Sequence, residues 1–445
     1  MQALQPPPNS MPHPHSTRRS FLKSTATTAA AAGTIPSLAS ALSRRQPQGD
    51  KTIRVALVGC GGRGRGAASQ ALSTAGPVEL VAMADAFSDQ LEDAHKAISN
   101  AVPERVNVPE ENRFVGFDAY AKAMDCDVDL VILATPPGFR PMHFEHAVNL
   151  GKHVFMEKPV AVDAAGIRTV LAAAQVARDK DLKVGVGLQR HHSAKYQETV
   201  RRIQDGAIGD VVLLRSYWNS GGVWTRPRRE GQTEMEYQMR NWYYFNWLCG
   251  DHITEQHIHN LDVANWVKGG PPVTAQGQGG RQVRDGIDHG EIYDHHMVEF
   301  TYADGTTLLS CCRHIQGCWN SVSEHAAGSR GTANIGAGRI DSVDASPWKF
   351  RGEDPNHYQV EHDVLAAAIR EGTPHNEAEY GANSTMTSIF GRMATYSGQR
   401  INWDAAIGSP AALVPSAYAW DAAPPTVPDG DGRYPIPMPG TTPAF

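Results

Sequence analysis

The sequence predicts a two-domain α/β protein: a doubly wound parallel-sheet unit, then a second α/β unit with a largely antiparallel, open sheet. Three observations predict it. A glycine-rich turn, Gly59-Cys60-Gly61-Gly62-Arg63-Gly64, lies between an apolar strand and a helical stretch. Apolar strand-like runs alternate with helical stretches up to about residue 185, the pattern of a parallel sheet. Beyond about Lys183 the strand-like runs are joined by turn signals such as Asp304-Gly305, the pattern of antiparallel pairing.

The ends of the 445-residue chain differ from its middle. Of 29 prolines, seven fall in the first 50 residues and nine between Pro410 and Pro443. Residues 1–50 read as an export signal and linker. Ser16-Thr17-Arg18-Arg19-Ser20-Phe21-Leu22-Lys23 carries the paired arginines, Phe and Lys of a twin-arginine signal; a weakly apolar Ala/Thr stretch and the small residues Ala39-Ser40-Ala41 follow. The expectation is a periplasmic or otherwise exported protein that meets the twin-arginine export machinery already folded. Residues 406–445 read as a proline-rich tail; from about Ser409 it lacks strand or helix period, and it is either an arm packed over the body or a neighbouring subunit, or plain disorder.

Residues 51–185 form the first unit. Thr52–Gly59 and Val78–Ala84 read as buried strands, the second ending at Asp85, 21 positions beyond Gly64. In such a turn Gly59 permits the tight bend, Gly61 lets the backbone approach a pyrophosphate, and Gly64 lets the helix lie against the strand. The helix N-terminus faces the phosphates. Asp85 would accept from ribose hydroxyls and repel a 2′-phosphate, which favours NAD over NADP. Two further strands end at Thr135-Pro136-Pro137 and at Glu157-Lys158-Pro159. All these points lie at carboxyl ends of strands, where doubly wound sheets bind ligands.

Residues 52 to about 403 resemble the Gfo/Idh/MocA oxidoreductases, the family of glucose-fructose oxidoreductase and inositol dehydrogenases. The glycine loop, Ala134-Thr135-Pro136-Pro137 with His143 downstream, and Glu157-Lys158-Pro159 carry the likeness. The resemblance implies Gly59, Gly61, Arg63, Gly64, Asp85, Thr135, Pro136, His143, Glu157 and Lys158 around the dinucleotide, with Lys158 also catalytic.

Residues 186–405 form the second unit. The segment Asp251–Asp262 is dense in ionisable groups. On a single helix Glu255 and His259 share a face, with His252 and Asp262 near the same stripe and His257 pointing elsewhere. The family's second motif, an acid, a histidine four later and an acid three after that, matches Glu255, His259 and Asp262. Glu255 and His257 depart from the family's more frequent Asp and Gly, and His257 is expected to fill space otherwise given to substrate. His259 suits a proton acceptor at neutral pH. Gln189, Arg190, Asp262 and Trp218 are candidate substrate contacts, and aromatic residues crowd positions 217–247, either as packing or as a sugar-stacking surface. The histidines, with Asp294, His295 and His296, offer metal ligands, but no zinc-like pairing is evident, and the expectation is no metal. Cys311, Cys312 and Cys318 are expected to be buried free thiols.

The expected activity is NAD-dependent oxidation of a secondary hydroxyl in a sugar, polyol or glycoside, with tightly held cofactor. The alternative is an NAD-dependent glycosidase or lyase that oxidises the ring transiently, without net redox change. The resemblance also suggests a homo-oligomer. Composition narrows the rest. With 41 basic and 47 acidic side chains the net charge is −6, which disfavours sequence-independent nucleic-acid binding. No apolar run approaches the ~20 residues of a membrane-spanning helix, and six cysteines do not make a disulfide scaffold.

Overall fold

A computed structural model describes residues 48–445; the twin-arginine segment lies outside them. Six parallel strands alternate with helices. In chain order these are β1 (Ile53–Val58), α1 (Gly62–Leu72), β2 (Val78–Asp85), α2 (Ser88–Ala101), β3 (Arg113–Val115), α3 (Ala119–Asp125), β4 (Leu130–Leu133), α4 (Arg140–Asn149), β5 (His153–Met156), α5 (Ala164–Asp179) and β6 (Val184–Val186). The spatial order is β3-β2-β1-β4-β5-β6. Strands β1, β4 and β5 are almost wholly buried, with no polar face, because helices cover both sides of a parallel sheet. Adjacent β1 and β4 mark the point where strand order reverses, and the crevice opens there.

The second unit begins with α6 (Ala194–Gln204) and the long strand β7 (Val211–Ser220). Then come α7 (Glu234–Arg240), α8 (Asn246–Cys249), α9 (His252–Glu255) and α10 (Ile258–Lys268). Seven strands follow: β8 (Thr274–Gly280), β9 (His295–Thr301), β10 (Thr307–His314), β11 (Ser321–Gly328), β12 (Gly331–Asn334), β13 (Arg339–Ser342) and β14 (Trp348–Lys349). The chain then forms α11 (His357–Glu371), α12 (Ala378–Ser397), β15 (Ile401–Asn402) and α13 (Trp403–Ile407). The nine strands run β14-β13-β12-β11-β7-β10-β9-β8-β15. All pairs are antiparallel except β7 with β10. Along β10 Leu308, Ser310, Cys312 and His314 are buried and the intervening residues are half-exposed, so only one face is covered; α10 and α12 pack on the sheet.

Three expectations need correction. The run at Val184 is not a strand of the second sheet; β6 pairs parallel with β5, so the boundary read at residue 185 cuts through the last parallel strand. Its short length and full burial suit either kind of sheet, which is why pattern alone misplaced it. Helix α11, counted with the second unit, packs against α1, and its Leu365 and Ile369 join the core of β1 and α1. Of the three neighbouring cysteines only Cys312 is buried; Cys311 is half-buried and Cys318 exposed, because β10 alternates and Cys318 lies in the turn beyond it.

Candidate active site

The turn after β1 is shaped by its glycines. Gly59 has φ +96°, and a Cβ there would lie 2.5 Å from the carbonyl carbon of Ala134. A Cβ on Gly64 would collide with the Gly59 carbonyl oxygen, so only glycine lets α1 approach β1 this closely. At Gly61 nothing lies within 4 Å of the same position. That open space adjoins the start of α1, which has neither a side-chain cap nor an acidic residue in its first turn. The unshielded helix N-terminus suits a phosphate. Asp85, at the end of β2, accepts from the Cys60 N–H at 2.6 Å and the Phe87 N–H at 2.9 Å, and burial holds its carboxyl above the usual range. These residues fit a dinucleotide whose ribose binds at Asp85.

Arg63 leaves the phosphate side. Its guanidinium pairs with Glu157 and, at 3.3 Å, with Glu361 on α11. Arg63 thus braces α1 to the end of β5 and to α11. Thr135 Oγ1 lies 3.3 Å from Nδ1 of buried His143, whose ring stacks on Tyr120 at 4.1 Å. Burial, aided by Arg140, pulls the His143 imidazole down to about 3.

Arg140, which the sequence reading passed over, organises this rim. It is 1% exposed, and its guanidinium donates to Glu157 O at 3.0 Å, Thr135 O at 2.6 Å and Thr135 Oγ1 at 3.4 Å. One buried cation therefore ties the ends of β4 and β5 together, directly beside Lys158. A buried arginine with only apolar surroundings would be untenable; here carbonyl oxygens receive it. The only sequence signal was an arginine following the Thr-Pro-Pro turn.

Lys158 Nζ reaches into the second unit and lies 3.2 Å from Glu255 Oε1, with both side chains 13% exposed. It also donates to the Glu255 carbonyl. The one helix expected across 251–262 is broken. Helix α9 ends at Glu255, Gln256 and His257 turn, and α10 starts at Ile258. Glu255 and His259 still flank Lys158, but across a bend rather than along one helical face. His259 lies face to face with Trp218, ring centroids 5.9 Å apart. Burial, then the Lys158 charge, pushes its imidazole well below the ordinary range, so it is neutral near pH 7. Glu255 moves the opposite way, raised by burial and partly restored by Lys158. Glu255 Oε2, His259 Nδ1 and Gln189 Oε1 are buried without a protein partner among the described residues.

Other candidates are differently engaged. Arg190 is paired with Glu324, and its guanidinium lies 5.6 Å from the Tyr196 ring centre. Asp262 accepts from Ser384 at 2.8 Å and lies 2.9 Å from His191. Each side chain has found a buried partner from a distant segment. Gln189 donates to Tyr358 at 2.9 Å. His257 does not intrude on the crevice: its Nε2 is 2.8 Å from Ser310 Oγ on β10.

His252 also departs from the expected stripe. With His296 and Tyr396 it surrounds the fully buried Asp251, at 2.7, 3.2 and 2.5 Å respectively, and the Tyr293 N–H donates at 3.0 Å. Asp251, His252 and His296 are close enough to share a cation, yet both carboxylate oxygens already accept protein hydrogen bonds. The aromatic run is mainly core: Tyr237, Tyr243, Tyr244, Phe245 and Trp247 are buried together.

The fold and crevice define a dinucleotide-binding oxidoreductase of the doubly wound class. Residues 53–188 match the Gfo/Idh/MocA family described as an oxidoreductase family with an NAD-binding Rossmann fold, and residues 196–334 match its C-terminal domain. Together the matches span more than half the chain, which belongs to the Gfo/Idh/MocA family. An inositol 2-dehydrogenase of Rhizobium meliloti is 28% identical over 258 residues, 58% of this chain and 68% of that protein. The Ralstonia nicotianae inositol 2-dehydrogenase is 27% identical over 264 residues, 58% of this chain and 66% of that one. The chain thus spans about two thirds of the length of these relatives. Among solved structures, the aldose-aldose oxidoreductase of Caulobacter crescentus superposes with TM-score 0.62 at 18% identity, over 79% of this chain and 100% of that one. Scyllo-inositol dehydrogenase of Lactobacillus casei, solved with NAD(H) and scyllo-inositol, gives TM-score 0.59 at 20% identity, over 80% and 100%. At such identities the likeness speaks for the fold.

Proposed function

We propose that the protein is an NAD-dependent dehydrogenase acting on a secondary hydroxyl of a polyol or sugar, with Lys158, His259 and Glu255 as its chemical residues. The observation that carries this reading is the meeting of Lys158 with Glu255 across the crevice, beside a neutral His259 whose Nδ1 is unpaired. An ammonium, an acceptor nitrogen and an acceptor carboxylate oxygen are what one alcohol and its neighbouring hydroxyl require.

Gly59, Gly61, Gly64 and the start of α1 would hold the pyrophosphate, and Asp85 would hold the ribose. The nicotinamide supplies the hydride acceptor. Oxidation removes a hydride from the carbon and a proton from its oxygen, leaving a carbonyl. Lys158 donates a hydrogen bond to that oxygen and stabilises the developing alkoxide. His259 takes the proton. Glu255 Oε2 orients the imidazole or accepts from an adjacent hydroxyl. Trp218 offers a flat apolar wall to the ring. Arg190, paired with Glu324, and Asp262, held by Ser384 and His191, remain candidate substrate contacts.

The inositol 2-dehydrogenases among this protein's relatives suggest inositol-like polyols as the first substrates to try. The Arg18-Arg19 segment supports export of the folded protein, and the half-exposed outer face of β7, β9 and β10, with exposed Met297, supports pairing with a second copy. An exported enzyme meets no pool of free NAD, so the cofactor stays bound through the cycle.

The test is absorbance at 340 nm with NAD and a panel of inositols, aldoses and glycosides. Lys158→Met and His259→Gln are expected to lower turnover by ~10²-fold or more while NAD still binds. Full turnover in either variant overturns the assignment.

A further inference from the structure

The proline-rich arm carries aromatic side chains to the mouth of the dinucleotide crevice. Phe87 follows Asp85 by two residues and donates its N–H to that carboxylate at 2.9 Å. Phe117 follows β3, in the segment whose Gly116 N–H donates to the Asp85 carbonyl at 3.0 Å. Trp420 of the arm lies between them, 5.2 Å from Phe87 and 4.6 Å from Phe117, centroid to centroid. Tyr418 lies 6.2 Å from Phe117 and 5.2 Å from Phe139, just beyond the Thr135-Pro136 turn.

The arm is fastened on both sides of this contact. Upstream, Arg168 on α5 donates to Ser409 O at 2.9 Å, and the Leu413 N–H donates to Asp163 at 2.7 Å. Downstream, Gln238 on α7 donates to Thr426 O at 2.7 Å, and Tyr293 donates to Pro437 O at 2.8 Å. The first pair of anchors belongs to the parallel-sheet unit and the second to the other unit. The segment between them therefore crosses the crevice mouth. Its prolines limit the freedom it regains on release.

We propose that this arm is part of the dinucleotide site: Trp420 and Tyr418, with Phe87 and Phe117, wall the adenosine end, and the cofactor exchanges only when the arm lifts. The proposal rests on the NAD reading above. A ribose held at Asp85 leaves its base on this side of the crevice, and flat aromatic walls are the chemistry a purine takes. A fastened arm slows entry and exit alike, which suits a cofactor that must persist through catalysis outside a nucleotide pool.

The test uses the whole chain, loaded with NADH and chased with excess NAD, with release followed by NADH fluorescence. Trp420→Ala, Tyr418→Ala and a chain ending at Gly408 are compared with the parent, folding being checked by circular dichroism. Release is expected to quicken at least about tenfold in Trp420→Ala, with entry quickening as well, so affinity changes less than either rate. An unchanged release rate in a folded Trp420→Ala protein overturns the proposal. So does faster entry with unchanged release, because the arm would then compete with the base. A parent chain that binds no NADH overturns the cofactor reading itself. Should the shortened chain not fold, the two point variants decide.

Discussion

Replacing Arg140 by Met removes the cation that ties the two catalytic rims together and keeps most of the side-chain volume. Arg140 is 1% exposed and donates to two backbone carbonyls, Thr135 O and Glu157 O, and to Thr135 Oγ1. Burial lowers its guanidinium to about 10, with Glu157 and Glu255 opposing, so it is charged at neutral pH. Two buried carbonyls left without donors cost about 1–3 kcal/mol each. Relief from burying a charge offsets part of that, leaving a net loss of about 2–4 kcal/mol. The effect on chemistry is separate: Glu157 O immediately precedes Lys158, and a shift of ~1 Å in a reacting group lowers turnover by ~10²-fold. Arg140→Lys, which can restore one bond, is expected to fall between. Thermal unfolding and steady-state turnover read the two quantities, and NADH titration checks that the cofactor still binds. If Arg140→Met melts with the parent and turns over at the parent's rate, the bracing role is wrong.

Four further outcomes follow from the same geometry. Gly64→Ala places a Cβ against the Gly59 carbonyl oxygen, forces α1 away from β1, and is expected to weaken NADH binding by ~10-fold or more, read by fluorescence titration. The acid limb of kcat/KM is expected below pH 6.5, because oxidation needs His259 neutral and burial and Lys158 hold its imidazole low; Lys158→Gln should move that limb upward in its residual activity. Asp251→Ala strands the donors of His252, Tyr293 and Tyr396 in the core and is expected to cost about 3–5 kcal/mol, measured by denaturant unfolding. Finally, burial holds His252 at about 4 and His143, His257 and His362 at about 3. The unfolded chain binds these protons first, so stability should be level above about pH 6.5 and fall as pH drops from 6.5 toward 4; a melting temperature flat across that window would refute it.

The parallel-sheet half was legible because its signals are local. Gly59, Gly61, Gly64 and Asp85 each answer a backbone or charge requirement that spacing alone reveals, and Lys158 sits between recognisable neighbours. The second half was less legible because its requirements are tertiary. The spacing of Glu255 and His259 was legible, but the bend at Gln256-His257 leaves no periodic trace. Arg190 and Asp262 met Glu324, Ser384 and His191, all distant in sequence. Arg140 and Asp251 were missed for the same reason: a buried charge is recognised by the donors or acceptors folded around it. From Ser409 on, where period is lacking, the arm forms neither strand nor helix, although residues 406 and 407 belong to α13; that it lies on the body followed only from the partners of Leu413, Trp420 and Pro437.

The central claim is hydride transfer at the Lys158–His259 pair. Its most direct test is the 340 nm absorbance of the purified full-length protein as polyols are added, in the parent and in His259→Gln. A lasting rise is expected with at least one polyol in the parent, and a rate ~10²-fold lower in a variant that still binds NAD. A rise of equal rate in both proteins, or bound NAD that no polyol reduces while glycosides lose their aglycone, would contradict it.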